Sequence, residues 1–370
     1  MKKIILLGLL VIISACSSSG SGSEDNGDNY DRTVLLTNWA DNIIVPSYEN
    51  YQTKIDLLIA STSTFTTAPT AINLQTLRAS WLDAYKAFQY TTMYNFGKAE
   101  EVYYNETSNT YPTNTTGIET NISSGTYNLT LISQFDKQGF PALDYLINGL
   151  GTTDSAIVSF YTTNPNALKY KDYLTAVTTR LKSTIDLVVT DWNTSFRDTY
   201  IANNGNTVSS SVNKTTNNFV KNLEKTVRTG KIGIPAGVFS AGTKYPEKVE
   251  AFYKNDASKI LLDESIRAVQ DFFNGKHFGT STTGASLKGY LDFLNTVRDG
   301  EKLSDIINTQ FNTIYITNNV LSTSFSQQIN TDNTKMINSY DALQQNVIYT
   351  KLDMMQALNI TIDYVDGDGD

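Results

Sequence analysis

Apolar residues recur at helical spacing along nearly all of the chain beyond residue 33, and this periodicity decides the fold class. The longest run covers about thirty residues and consists of Tyr170, Tyr173, Val177, Leu181, Ile185, Val188, Trp192, Phe196 and Tyr200. Shorter runs of the same kind lie on both sides of it. The sequence shows no convincing series of alternating apolar and polar residues bounded by hairpin turns. The pattern therefore predicts an all-α protein.

Chain length and one turn-rich segment predict two domains. Roughly 340 residues follow the N-terminal segments, which is more than one hydrophobic core usually serves. The longest helix should end at residues 203–206, Asn-Asn-Gly-Asn, and a serine-rich stretch then runs to Ser211. We expect two similar up-and-down four-helix bundles packed side by side, one at residues 33–205 and one at residues 212–362.

Three segments carry further local predictions. Turn-forming residues dominate from Gly97 to Lys137, and a long segment without regular structure is more often functional than idle. Residues 230–237, Gly-Lys-Ile-Gly-Ile-Pro-Ala-Gly, predict a rigid loop that lacks the spacing of a P-loop. Pro246 is expected to open a helix that ends at Gly275.

The N-terminus predicts export and a lipid anchor. Lys2 and Lys3 precede an apolar run at residues 4–13, which is typical of a secretory signal peptide and too short for a permanent membrane span. The ending Ile-Ser-Ala-Cys at residues 13–16 resembles a bacterial lipobox, whose cysteine is acylated. Cys16 is the single cysteine, so it has no partner for an internal disulfide. The alternative is an ordinary signal peptide with a coincidental cysteine.

The segments next to both termini are polar. Residues 17–32 form a tether of serine, glycine, asparagine and acidic residues after the leader at residues 1–16. The tail at residues 363–370 resembles part of a calcium loop and is expected to be a solvated acidic terminus or a weak cation site. A net charge of −8 and the lack of a basic patch argue against nucleic acid as a partner. The expected location is the outer membrane, with the face left open.

The segment at residues 139–149, Gly-Phe-Pro-Ala-Leu-Asp-Tyr-Leu-Ile-Asn-Gly, is the best candidate for a site. Pro141 suits the first position of a short helix that ends at Gly149. Asp144 lies about a quarter-turn away from the apolar stripe of that helix. The ordinary alternative is a capped core helix with a solvated aspartate.

Residue counts exclude several chemistries. His277 is the only histidine and lies in a predicted loop, whereas a zinc peptidase usually needs at least two histidine ligands. No Gly-x-Ser-x-Gly nucleophile elbow is present. Helical bundles can instead hold a site of carboxylates and tyrosines, which suits hard cations.

Several blocks of sequence resemble the imelysin-like lipoproteins of bacteria, the family of iron-regulated protein A. The segment at residues 139–146 stands where that family has a Gly-x-His-x-x-Glu signature, and Pro141 and Asp144 replace its histidine and glutamate. The other blocks are Trp81 with Phe88, Tyr94, Phe96 and Gly97; residues 248–251 with the helix to Gly275; and residues 351–359 with the Asp-Gly-Asp tail.

The resemblance implies two similar four-helix bundles with a site between them, and a role in iron or other metal homeostasis. The family was once classed with metallopeptidases, but without the histidine we expect no enzyme. Asp144 and Glu250 remain as candidate ligands for a divalent or ferric cation. The full set of candidate binding residues is Trp81, Tyr85, Gly139, Asp144, Tyr145 and Glu250.

Two functions from different classes therefore remain open. One is a lipid-anchored protein that binds a metal, a metal chelate or a small ligand at the bundle interface. The other is a degenerate scaffold lipoprotein whose partner is another envelope protein. A metallopeptidase is a distant third.

Overall fold

The computed structural model describes residues 28–364, and over that range the predicted all-α class is confirmed. Cys16, the lipobox, residues 17–27 of the tether and the last six residues of the acidic tail lie outside the described residues. Within residues 28–364 no helix is both long enough and apolar enough to cross a membrane. We refer to residues 28–205 as the first half and residues 211–364 as the second half.

The first half contains ten α-helices, several of which continue into π-helical or 3-10 turns. The α-helices are α1 (Arg32–Asn38), α2 (Val45–Thr67), α3 (Ala71–Gln89), α4 (Lys98–Glu101), α5 (Tyr104–Asn109), α6 (Thr115–Ser124), α7 (Gly139–Asp144), α8 (Asp154–Phe160), α9 (Ala167–Asp191) and α10 (Arg197–Ala202). The wider or tighter turns are Trp39–Ile44, Ile132–Lys137, Tyr145–Gly149 and Trp192–Phe196.

The second half contains eight α-helices and one short hairpin, in which strand β1 (Val297–Arg298) pairs antiparallel with β2 (Glu301–Lys302). The α-helices are α11 (Ser211–Lys221), α12 (Ile234–Ala236), α13 (Ser258–Phe273), α14 (Leu287–Phe293), α15 (Leu303–Asn318), α16 (Phe325–Thr331), α17 (Thr334–Val347) and α18 (Met355–Ala357). The remaining turns are π-helical at Asn222–Gly233 and Ile348–Met354 and 3-10 at Pro246–Lys248.

Polar side chains fix where several helices begin. The side chains of Asp31, Thr70 and Asn114 accept the backbone N–H three residues ahead at the starts of α1, α3 and α6. Ser210 and Ser286 do the same for α11 and α14. These caps satisfy backbone donors that the helix itself leaves without partners.

The two halves share one hydrophobic core. In the first half, α2 packs against both α3 and α9, and in the second half α15 and the π-helical turn after α11 pack against α17. The halves meet where α3 packs on α13. Aromatic rings cross this boundary: Phe272 lies 5.0 Å from Trp39 and 5.7 Å from Tyr94, centroid to centroid.

The first residues of the described chain pack on the second half as well as on α10 of the first half. Tyr30 stacks on Tyr290 with ring centroids 4.0 Å apart. The side-chain amide of Asn38 donates to the carbonyl of Ala285 at 2.9 Å. The carbonyl of Asn42 accepts the backbone N–H of Phe278 at 2.8 Å. The N-terminal segment therefore joins the two halves.

Three local predictions were wrong. The region from Gly97 to Lys137 holds α4, α5, α6 and a 3-10 turn, so it is helical in short pieces. The glycine-rich segment at residues 230–237, predicted to be a loop, instead continues the helical segment that begins at Asn222 and ends at Ala236. Within it, Gly233 leaves room for the rings of Phe239 and Tyr340. The helix expected from Pro246 begins only at Ser258.

Candidate functional site at the interface of the two halves

The candidate segment begins at a glycine that no other residue can replace without strain. Gly139 has φ +75°, and a Cβ at this position would lie 2.2 Å from the carbonyl oxygen of Ser108. Helix α7 starts there, two residues before the predicted start at Pro141, and the π-helical turn ends at the predicted Gly149. Close contact with α5 therefore sets the position of α7 and of Asp144.

Asp144 is buried at the interface, so the expectation of a solvated aspartate was wrong. Its side chain is 1% exposed, and its two oxygens accept the backbone N–H groups of Tyr253 at 2.8 Å and Lys254 at 2.9 Å. The amide of Asn148 donates to it at 2.9 Å. Burial raises the pKa of Asp144 to about 7, although these three hydrogen bonds oppose the rise. Asp144 thereby joins α7 to the turn after Val249.

A cavity of about 160 Å³ lies beside Asp144. It has room for about one benzene-sized group. The first half contributes Tyr111, Pro112, Thr113, Pro141 and Asp144, and the second half contributes Glu247, Val249, Ala251, Phe252 and Tyr253. The two positions that replace the histidine and the glutamate of the family signature therefore line one cavity.

Glu250 belongs to a separate buried hydrogen-bond network. Its side chain is 2% exposed and pairs with the ammonium of Lys231, which is 1% exposed. Its other oxygen accepts the amide of Asn109 at 2.8 Å. Lys231 also donates to the side-chain oxygen of Gln89 at 2.9 Å, and Ser265 donates to that oxygen at 2.8 Å. Residues from both halves meet in this network.

The ionisable side chains of the Glu250 network, Lys231, Glu250 and Tyr85, all have partners inside the protein. Burial lowers the pKa of Lys231, while the Glu250 carboxylate opposes that shift. Burial and the same carboxylate raise the pKa of Tyr85 well above its ordinary value, so its hydroxyl stays protonated and donates a hydrogen bond to Asn109 Oδ1 at 2.5 Å. Both carboxylate oxygens of Glu250 accept a hydrogen bond from the protein, one from Asn109 and the other from Lys231.

The other predicted site residues support α7 from behind. Trp81 is fully buried, and its indole N–H donates to the carbonyl of Phe140 at 3.2 Å. Tyr85 stacks on the Phe140 ring at 4.4 Å. Tyr145 donates its hydroxyl proton to Glu119 at 2.7 Å, and its ring lies 5.2 Å from that of Tyr253. None of Trp81, Tyr85 and Tyr145 lines the cavity.

The structure brings together some predicted residues and separates others. Asp144 and Glu250 are both at the interface, but they have no hydrogen-bond partner in common. Sequence reasoning missed Lys231, Gln89, Asn109 and Tyr111. Lys231 could have been found, because it continues the stripe Phe219, Leu223, Val227 at intervals of four.

The residues present do not form a centre for a bare cation. Within residues 28–364 no group of three or more histidine, cysteine, aspartate or glutamate side chains lies close enough to hold a metal ion. The oxygens of Asp144 and Glu250 already accept hydrogen bonds, and the ammonium of Lys231 lies where a cation would balance Glu250. His277 lies outside the cavity lining, and its backbone N–H is bonded to Thr282.

The fold and the site together define the class of protein: a helical chain with one short hairpin and a cavity between its two halves. The imelysin family model, Peptidase_M75, matches residues 44–349, and the chain belongs to the imelysin family. No curated protein gives a significant match.

Two solved structures share the fold. An imelysin-like protein from Psychrobacter arcticum 273-4 superposes with a TM-score of 0.70 at 17% identity, covering 90% of this chain and 97% of that one. A protein described as an iron-regulated protein A precursor, from Parabacteroides distasonis ATCC 8503, gives 0.72 at 15% identity with the same coverage.

Proposed function

We propose that this imelysin-family chain is an exported, lipid-anchored binding protein that holds a small ligand in the interface cavity beside Asp144. The observation that carries the proposal is that Pro141 and Asp144, the two altered signature positions, line the same cavity as Tyr253 of the second half. Ligand pockets occur preferentially at domain interfaces of this kind. Export and the anchor rest on the leader sequence and Cys16.

The cavity lining favours an organic ligand, or one arm of a metal chelate, over a bare ion. Three aromatic residues and two prolines make up half of the ten lining residues, and Asp144 and Glu247 are the acidic residues among them. A cationic or N–H-bearing group would meet both the carboxylates and the ring faces. A role in iron supply is supported by family membership and by the name of the Parabacteroides protein.

One observation favours the second candidate, a scaffold without a ligand. Asp144 accepts backbone N–H groups of the second half, and Glu250 accepts the side-chain amide of Asn109 from the first half, so both carboxylates already stabilise the interface. In that case the cavity is a packing defect, and the partner is another envelope protein. A peptidase gains no support from the site, because its lining contains no histidine.

The test is to purify the full chain from membranes and measure bound organic mass by native mass spectrometry and bound metal by elemental analysis. Val249→Phe should fill the cavity, whereas Asp83→Asn changes a carboxylate that is 57% exposed and serves as the control. The proposal expects a ligand in the natural chain and in the control, and its loss in Val249→Phe.

Two results would overturn it. A chain without bound organic mass or metal, unchanged by Val249→Phe, would put the scaffold ahead. Iron or a divalent ion at one per chain without an organic component, and lost in Asp144→Asn, would show a bare cation site instead.

A further inference from the structure

One arginine differs from all the others in the chain. The sequence has seven arginines, and all lie within the described residues. Six of them form an ion pair with a carboxylate: Arg32, Arg78, Arg197, Arg228, Arg267 and Arg298. Within residues 28–364 the guanidinium of Arg180 has neither an ion pair nor a hydrogen bond, and its Nε is shielded from solvent. In a chain with 37 acidic and 29 basic residues, such a guanidinium needs an explanation.

Arg180 lines a surface groove of about 490 Å³ on α9. One wall of the groove is a single face of α9, with residues at positions 172, 175, 176, 179, 180 and 183. The other wall is residues 127–130, which follow α6. Burial of part of the side chain lowers the pKa of Arg180, and no neighbouring carboxylate compensates.

The acidic groups nearby do not neutralise Arg180. Asp172 lines the same groove but lies eight residues earlier, which is about 12 Å along a helix. Asp186 on the other side accepts the ammonium of Lys182. The groove therefore contains one cation without a counter-charge and one carboxylate at its far end.

The remaining lining is rich in hydroxyl groups. Thr130, Thr175, Thr179 and Ser183 lie along the groove, and Tyr127 is only partly buried against the edge of Tyr173, 4.7 Å away. A guanidinium presents a planar pair of donors that matches a carboxylate. Hydroxyl groups and an aromatic ring suit a body that carries several hydroxyls of its own. A single cation with Asp172 nearby suits a monoanion better than a dianionic phosphate.

We propose that this groove is a second binding site, independent of the interface cavity, for a sugar that carries a carboxylate. The carboxylate pairs with Arg180, and the sugar ring lies along the threonines toward Tyr127. Recognition needs both parts, because the groove offers one charge and many hydroxyl partners.

The experiment is titration of the full chain with glucuronate, glucose and inorganic phosphate by isothermal calorimetry. Saturable binding of glucuronate is expected, at least tenfold tighter than binding of glucose or phosphate. Arg180→Gln should weaken glucuronate binding ten- to a hundredfold, as expected for a charge-assisted bidentate contact. Ala176→Trp, which keeps Arg180 but fills the groove, should weaken it similarly.

Arg197→Gln is the control, because it removes the same charge from an arginine that is already paired with Asp41 and Asp198. It should bind glucuronate like the natural chain. No detectable glucuronate binding, or equal binding by Arg180→Gln, would overturn the proposal. Phosphate binding as tight as that of glucuronate would show a general anion contact and would overturn the assignment to a sugar.

Discussion

Asp144 and Glu250 are two carboxylates buried to the same depth at one interface, yet the protein stabilises them in opposite ways. Asp144 accepts two backbone N–H groups and an amide, all of them neutral donors. Glu250 is paired with the full positive charge of Lys231. The difference appears in the chemistry: the pKa of Asp144 rises to about 7, whereas the Lys231–Glu250 pair remains a closed ion pair.

This comparison teaches what each carboxylate can still do. A pair that supplies its own cation has no use for a metal ion and contributes to the contact between the halves. A carboxylate held only by dipoles keeps unbalanced charge beside a cavity, so it can respond to pH or to a cationic group.

The largest effect should follow from removing the ammonium. Lys231→Met leaves Glu250 buried without its counter-ion and should lower the free energy of unfolding by about 3–5 kcal/mol in urea at pH 7. The control Lys98→Met removes the partner of Glu101 in a surface ion pair, which water screens, and should cost far less. The double variant Lys231→Met with Glu250→Leu should recover much of the loss. If the two lysine variants cost the same, the ion pair does not stabilise the interface.

Asp144 should make the stability of the protein decrease as the pH rises. The pKa of Asp144 is about 7 in the folded protein and near 3.8 in the unfolded chain, so the folded state holds the proton more tightly. This contribution to stability is fully present below pH 4 and is lost as the pH rises through 7. Between pH 5 and pH 8 the natural chain should lose about 2–3 kcal/mol relative to Asp144→Asn. Asp83→Asn keeps Asp144 and should therefore lose stability with pH as the natural chain does. A difference between the natural chain and Asp144→Asn that stays constant from pH 5 to pH 8 would refute the buried, protonatable carboxylate.

Gly139 tests whether the position of α7 depends on close contact with α5. Gly139→Ala meets both an unfavourable φ and the carbonyl of Ser108, whereas Gly242→Ala has φ +85° and no atom within 4 Å of its Cβ. We expect Gly242→Ala to cost about 1 kcal/mol and Gly139→Ala about 2 kcal/mol more, measured by urea unfolding. Equal costs would mean that backbone conformation alone requires glycine at both positions.

The smallest effect should come from the edge of the Glu250 network. Tyr85→Phe removes the hydroxyl that donates to Asn109 and should cost about 1 kcal/mol. Tyr103→Phe, with a ring that is 47% exposed, should stay within about 0.5 kcal/mol of the natural chain. If Tyr103→Phe lowered the free energy of unfolding more than Tyr85→Phe, the hydroxyl of Tyr85 in the Glu250 network would not be the more stabilising of the two.

Helical periodicity was enough to predict the fold class and the long helices. One of the shorter apolar runs, which extends from Leu74 to Phe88 at helical spacing, forms the buried face of α3, and the run from Tyr170 forms α9 and its continuation. Boundaries failed where glycine and proline were taken as breakers: Gly230, Gly233 and Pro235 all lie within a continuous helical segment. Packing of Phe239 and Tyr340 against Gly233 overrode the local preference.

The site could be predicted only in part, because its contacts join distant parts of the chain. The segment with Asp144 was identified, but the N–H group that covers it belongs to Tyr253, 109 residues later. Lys254, Asn255 and Asp256 are turn-forming residues that could have marked the break before α13. The pairing of Glu250 with Lys231 rests on tertiary packing that no local pattern encodes.

The N-terminal segment that stacks Tyr30 on Tyr290 has a mechanical consequence. A pull applied from ahead of residue 28 would load that ring stack and the Asn38 bond to Ala285 before it reached α2. The second half would therefore support the first half mechanically. An applied force would first have to detach the N-terminal segment, residues 28–44, from the second half.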